Sequence, residues 1–166
     1  MSELPFLEGY SGETVAELLA LEHTHRIDSL LLAFEAALDQ KAAREGAESL
    51  TTEEVTVLAI EGLEREVNNG GYHQFFVNSS VQYAPAIVTA LRRIGCPKVA
   101  AITEDAIAAL RLPLLSVAEI EAVICDDDES RDEVLGACDR QFLEYPEPIA
   151  DRLFAFIKAN RSTIRL

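Results

Sequence analysis

Apolar positions recur along this chain at intervals of three and four residues, which places them on one side of an α helix. The strict alternation that is typical of a half-buried strand is almost absent. The longest apolar stripes are Ile27, Leu30, Leu31, Phe34 and Leu38; Val57, Ile60, Leu63 and Val67; Ile87, Leu91 and Ile94; Val99, Ile102, Ala106 and Leu110; Val117, Ile120 and Ile124; Leu135, Cys138 and Phe142; and Ile149, Leu153 and Phe156. The pattern predicts an all-α domain of about seven or eight helices.

Signals for helix ends agree with these stripes. Thr51-x-x-Glu54 and Ser116-x-x-Glu119 are capping-box patterns, in which a hydroxyl and a carboxylate accept hydrogen bonds from backbone amides at a helix start. We see no internal repeat, low-complexity tract or linker, so we expect a single domain over residues 1–166. Pro85 and Pro148 are suited to the first turn of a helix. Gly46, Gly70 and Gly95 are suited to a helix end.

Residues 67–91 contain no charged side chain, although charged residues make up 26% of the chain. The run begins where the stripe ending at Val67 predicts the end of a helix. Asn69-Gly70 or Gly70-Gly71 can supply the residue with positive φ that closes such a helix. Asn-Gly also marks β-hairpins, but hairpins need alternating flanks, which are missing here.

Three aromatic residues follow the two glycines. Tyr72, Phe75 and Phe76 are spaced so that they share one side of a short helix, and we expect them in the core. The amide side chains around them carry no charge, and they are suited to satisfying backbone groups where helix ends meet in the interior.

His73 is the best single candidate for catalysis. No acidic residue lies near it in sequence to orient the ring, and no serine or cysteine is marked as a nucleophile. We therefore favour a structural histidine in a hydrogen-bonded helix junction. The alternative is a small enzyme or ligand-binding domain whose pocket lies around Asn69, His73, Gln74 and Asn78.

No pattern in the chain predicts a metal or cofactor. His23 and His25 point apart on a helix. Residues 126–129 resemble the start of a calcium loop, but an EF-hand would need glycine and glutamate where the chain has Arg131 and Ala137. Glycine-rich nucleotide loops and zinc or serine-hydrolase motifs are also missing.

Three cysteines, Cys96, Cys125 and Cys138, form no Cys-x-x-Cys pattern and cannot all pair with one another. We interpret them as small core residues of a protein in the reducing cytoplasm. The first residues do not resemble a signal peptide, and no apolar run of some 18 residues could span a membrane.

The chain carries a net charge of −15 with a sequence pI of about 4.5. Direct binding to nucleic acid is therefore not expected, because phosphate binding requires clustered lysine and arginine. Acids concentrate in residues 119–147, whereas in residues 151–166 the basic residues Arg152, Lys158, Arg161 and Arg165 outnumber the single acid Asp151. The acids of this region that we assign to one surface, called the acidic face below, are Glu119, Glu121, Asp126, Asp127, Asp128, Glu129, Asp132, Glu133, Asp139 and Glu144.

A helical projection from Glu129 separates the acids from the apolar residues of this region. Each pair of like charges at helical spacing destabilises a helix by about a few tenths of a kcal/mol. Helix stability therefore does not explain why so many acids share this face. The residues alone leave two interpretations open, a solvated surface and a surface for a basic partner. The projection puts Asp132, Glu133, Asp139 and Glu144 on one side, and Val134, Leu135, Cys138 and Phe142 on the opposite, apolar side. We predict solvent exposure for Asp127, Asp128, Asp132 and Glu133.

The segment 66–80 resembles the signature of the bacterial DNA-mimic protein family, whose members are small acidic helical proteins. We place the family-like core at about 54–160, and Ala90–Gly95 resembles the family's next helix end. The resemblance implies an all-α fold, a dimer, and a member that can occupy the DNA-binding surface of a protein such as a helix-turn-helix transcription factor. Our first hypothesis is therefore a non-enzymatic protein that binds such a partner and blocks its DNA site. The matching positions are Glu66, Asn69, Gly70, Gly71, Tyr72, Gln74, Phe75, Phe76 and Asn78.

Overall fold

A computed structural model describes residues 3–166 and confirms the all-α prediction, with eight α helices and no strand in that range. Two short 3-10 helices, Ala47–Ser49 and Ser79–Tyr83, connect some of them. The α helices are α1 (Val15–Ala20), α2 (Ile27–Glu45), α3 (Thr52–Val77), α4 (Ala84–Arg93), α5 (Pro97–Ala108), α6 (Val117–Val123), α7 (Glu129–Leu143) and α8 (Ile149–Ala159).

The described residues divide into two compact units, and the prediction of a single domain stays a prediction. Unit 1 comprises residues 3–61 and 149–166. In this unit, α2 packs against α1 and α8. Its core is aliphatic apart from two phenylalanines, and includes Leu18, Leu30, Leu31, Phe34, Leu38, Leu153, Phe154 and Ile157.

A buried ion pair lies at the start of α3 in unit 1. Lys41 Nζ donates to both carboxylate oxygens of Glu54, at 2.8 and 2.9 Å, and Glu54 is fully buried. The same carboxylate accepts the Thr51 amide at 2.9 Å, and Thr51 Oγ1 accepts the Glu54 amide at 3.2 Å. The predicted capping box is therefore present, and its glutamate has a second, buried partner.

Unit 2 comprises residues 62–148 and contains the aromatic core. In it, α5 packs against α4 and α7. Tyr72, Phe75 and Phe76 are fully buried, as predicted. The Tyr72 ring meets Phe142 edge to face with centroids 6.0 Å apart, and its hydroxyl lies 2.8 Å from Thr103 Oγ1. The signature residues thus hold α3 against the later helices of this unit.

The predicted burial of Val134 and Cys125 is wrong. Val134, placed on the apolar side of α7, is 40% exposed. Cys125 is exposed rather than in the core, whereas Cys96 and Cys138 are buried free thiols as expected. Across residues 3–166, no helix combines the length and apolar character that crossing a membrane requires.

Candidate functional site

Helix α3 is interrupted at Gly70 and Gly71. Gly71 has φ of 78°, which confirms the predicted positive-φ glycine, and the chain continues as helix rather than as a hairpin. Asp139, on α7, lies directly against this break, and its carboxylate accepts the Tyr72 amide at 2.7 Å. A Cβ atom at Gly71 would lie 2.3 Å from Asp139 Oδ2. Only glycine therefore satisfies both the backbone conformation and the close approach of the carboxylate.

The amides of the signature bind a buried carboxylate. Gln74 Nε2 and Asn78 Nδ2 donate to the same oxygen of Glu66, at 2.7 and 2.8 Å, and the Glu66 side chain is 8% exposed. The prediction that these amides satisfy backbone groups at helix ends is wrong for both. A buried carboxylate without hydrogen-bond donors costs more free energy than an unpaired backbone group does. Neutral amides supply these donors without adding another charge. Glu66 thereby fastens the two halves of α3 across the break.

His73 is exposed, so the prediction of a structural histidine inside a helix junction is wrong. Asn69 and Asn78 are also exposed, and the amides of Gln74 and Asn78 are already bound to Glu66. The four residues of the alternative pocket therefore offer an exposed surface with two of their donors in use.

Two adjacent groups on α7, Asp139 and Cys138, have shifted pKa values, and Asp139 is influenced by His73. Burial raises the pKa of Asp139, while the Tyr72 amide, Arg140 and His73 act in the opposite direction. Burial also raises the pKa of the neighbouring Cys138 thiol to about 11. This thiol is protonated at neutral pH and is not an activated nucleophile. Within residues 3–166, no group of three or more histidine, cysteine or acidic side chains is placed to hold a metal ion.

Most of the acidic face is exposed. Its acids lie on α6, on the connection 124–128 and along α7, all within unit 2. Asp128 and Asp139 are the two members that are only partly exposed. The exposed members are Glu119, Glu121, Asp126, Asp127, Glu129, Asp132, Glu133 and Glu144.

The carboxylates of Asp128 and Asp139 form contacts within the fold and contribute less to the solvent-exposed charge. The Asp128 carboxylate caps α7 by accepting the Arg131 amide at 3.0 Å, and it also pairs with Arg111. The Arg131 hydrogen bond, followed by Arg111, holds the pKa of Asp128 below its usual value. The solvent exposure predicted for Asp128 is therefore wrong, because an N-cap carboxylate turns back toward the helix start. Asp139 is drawn inward by the Tyr72 amide.

Arg131 is a residue whose role the sequence did not indicate beyond its place within an acidic run. Its guanidinium, on a residue that is 5% exposed, donates to the carbonyl oxygens of Val123 at 2.7 Å and Asp126 at 2.5 Å. It also lies 3.3 Å from an Asp132 carboxylate oxygen. These carbonyls lie at the end of α6 and just after it, where helical partners run out. Arg131 therefore fixes the backbone that carries Asp126 and Asp127.

Arg131→Gln should destabilise the protein by about 1–3 kcal/mol, because glutamine is shorter and has one donor nitrogen where arginine uses two, Nη1 and Nη2, to bind the two carbonyl groups. Amides of residues 123–128 should lose hydrogen-exchange protection first. Arg140→Gln is the matched control, since Arg140 is an exposed arginine on the same helix, and it should change stability by less than about 0.5 kcal/mol. Equal denaturation midpoints for the two variants would contradict the anchoring role of Arg131.

Comparison with known proteins places the chain in one family. A family model described as DMP19-like protein matches residues 48–160, which is more than half of the 166 residues. The match is consistent with the family that the 66–80 signature resembles. Neither the curated proteins nor the solved structures gave a match.

Proposed function

Because the chain belongs to the DMP19-like protein family, we propose that it is a DNA mimic. In this proposal it is not an enzyme. It binds a basic DNA-binding protein, such as a helix-turn-helix transcription factor, and blocks that protein's DNA site. The observation that carries the proposal beyond the family is the exposure of the acidic face.

The charge distribution supports mimicry in two ways. Carboxylates on adjacent helical turns stand about 5–6 Å apart, so α6 and α7 can present a repeated array of negative charge. Two of the cations among these helices are paired with acids. Arg131 lies 3.3 Å from Asp132, and Arg111 is paired with Asp128. Arg140 remains exposed on α7.

The fold also supports a rigid array rather than a flexible acidic tail. Arg131 fixes the connection between α6 and α7, and Asp128 caps the start of α7. Carboxylates held on an ordered backbone lose less conformational entropy on binding than those of a disordered segment. Such a rigid array of carboxylates is therefore suited to a partner that normally binds a stiff DNA duplex.

The experiment that tests the proposal is capture of host proteins on the immobilised chain at low and high salt. A basic DNA-binding protein should be retained at low salt and released as salt rises, because exposed charge pairs are screened over about 8–10 Å near physiological ionic strength. Retention of proteins without DNA-binding activity, unaffected by salt, would argue against mimicry.

We further propose that the chain forms a homodimer through the neutral surface of residues 67–91. Much of this run is buried in unit 2, but Val77 is 44% exposed at the end of α3. A surface without charge avoids like-charge repulsion between copies of a strongly acidic chain. Two-fold dimers are also the commonest symmetric oligomers.

Val77→Asp should shift the dimer toward monomer by placing two carboxylates at the two-fold interface. Sedimentation velocity at tens of micromolar would measure the shift. Val134→Asp is the matched control, because Val134 is a similarly exposed valine of the same unit. Wild-type protein that sediments as a monomer, or a dimer disrupted by Val134→Asp and not by Val77→Asp, would contradict this interface.

A further inference from the structure

Unit 1 contains a cavity of about 580 Å³, between the segment that leads into α1 and the residues after α8. Its apolar wall is formed by Val15, Ala16 and Leu19 of α1, together with Tyr10. The volume falls in the range of small-molecule sites, about 300–1,000 Å³. An apolar wall of this kind fits the hydrocarbon part of a small ligand.

Two arginines, Arg161 and Arg165, line the same cavity. Neither guanidinium forms a hydrogen bond or an ion pair with any other part of residues 3–166. The acidic side chain that also lines the cavity, Glu13, accepts hydrogen bonds from the backbone amide and hydroxyl of Ser11, at 2.8 and 2.6 Å. In a chain with a net charge of −15, the cavity therefore holds two guanidinium groups that are not ion-paired with this carboxylate.

The backbone that presents Arg165 is held in place. Its amide donates to Glu54 Oε1 at 2.7 Å, and its carbonyl accepts from Lys41 Nζ at 3.1 Å. Both partners belong to the buried ion pair of unit 1. Anchoring at both main-chain groups fixes the Arg165 backbone at the edge of the cavity, within reach of which its exposed side chain lies.

We propose that this cavity binds a small organic anion with an apolar body, such as a medium-chain carboxylate. The anionic head would accept hydrogen bonds from Arg161 and Arg165, because guanidinium groups match carboxylates in charge and in geometry. The hydrocarbon part would lie against Val15, Ala16 and Leu19. Every residue of this site belongs to unit 1, so the proposal does not depend on the acidic face of unit 2.

The test is calorimetric titration of the full chain with octanoate, compared with octanol and with acetate. Saturable binding of octanoate is expected, with octanol and acetate each at least about tenfold weaker because one lacks the charge and the other the hydrocarbon. The double variant Arg161→Ala, Arg165→Ala should weaken octanoate by tenfold or more. This change keeps the main-chain bonds of Arg165, and a thermal melt would verify that the variant remains folded.

The matched control is Arg44→Ala, Arg152→Ala, which removes two exposed arginines of unit 1 that lie outside the cavity. This control makes the net charge more negative by the same amount as the cavity variant does, and it should bind octanoate like the wild type. No saturable binding of octanoate up to about 10 mM, equal binding by both double variants, or equal binding of octanol would each overturn the proposal.

Discussion

Gly71→Ala should lower the free energy of unfolding by about 2–6 kcal/mol. Alanine at φ of 78° and ψ of −176° is strained by roughly 1–3 kcal/mol, because this region is essentially restricted to glycine. The new Cβ would also displace the Asp139 carboxylate, which it would approach to 2.3 Å. The Tyr72 amide would then lose its acceptor, at a further cost of about 1–3 kcal/mol. Urea denaturation of the variant measures the total loss of stability from the backbone strain and the lost hydrogen bond.

Gly136→Ala is the matched control for this change. Gly136 lies inside α7, and a Cβ atom there would meet only Arg140 Nη1, at an ordinary 3.7 Å. Alanine should therefore raise stability by about 0.5–1 kcal/mol through its higher helix propensity. Two variants shifted in the same direction, or a Gly71→Ala protein as stable as the wild type, would contradict the account of the α3 break.

Reversing four exposed charges of the acidic face should abolish partner binding and leave the helical fold intact. The suitable positions have no hydrogen bond or ion pair within the described part of the chain, so their reversal removes charge without removing a structural contact. Asp128 is left unchanged because it caps α7. Circular dichroism should remain that of the wild type, since surface substitutions usually change stability by about 0.5 kcal/mol or less. The combined variant is Glu121→Lys, Asp127→Lys, Glu133→Lys and Glu144→Lys.

A second fourfold variant separates the acidic face from overall charge. It reverses four exposed acids of unit 1 and changes the net charge by the same amount. Binding should persist in this control, with at most a slower association rate, because long-range attraction depends on total charge and the bound contact does not. Equal loss of binding in both variants would show that net charge, not the acidic face, attracts the partner. The control is Glu3→Lys, Glu8→Lys, Glu45→Lys and Glu48→Lys.

The helices and their ends could be predicted from sequence because their causes are local. Apolar spacing of three and four residues determines which side of a helix is buried. The Thr51–Glu54 capping box acts over three residues, and the structure contains both of its hydrogen bonds. The positive φ of Gly71 likewise follows from a glycine that interrupts a helical pattern.

Three contacts that the sequence did not predict join residues that are eight or more positions apart. Asp139 meets the Tyr72 amide across 67 positions, so a helical projection of α7 alone placed it at the surface. Glu66 accepts hydrogen bonds from the side-chain amides of Gln74 and Asn78, which lie 8 and 12 residues further on. The break in α3 lies between Glu66 and these residues, and the sequence does not specify its angle. Arg131 stands in an acidic run and belongs to no sequence pattern that predicts a contact, whereas its guanidinium binds the Val123 carbonyl at the end of α6. Each of these contacts depends on how helices pack.

The most direct test of DNA mimicry is competition for one surface of the partner. The captured partner, bound to its own fluorescently labelled operator duplex, is titrated with this chain while fluorescence anisotropy reports the bound DNA. Mimicry predicts complete displacement of the duplex, weakening as salt rises, and no displacement by the fourfold acidic-face variant. A stable ternary complex of partner, duplex and this chain would contradict it.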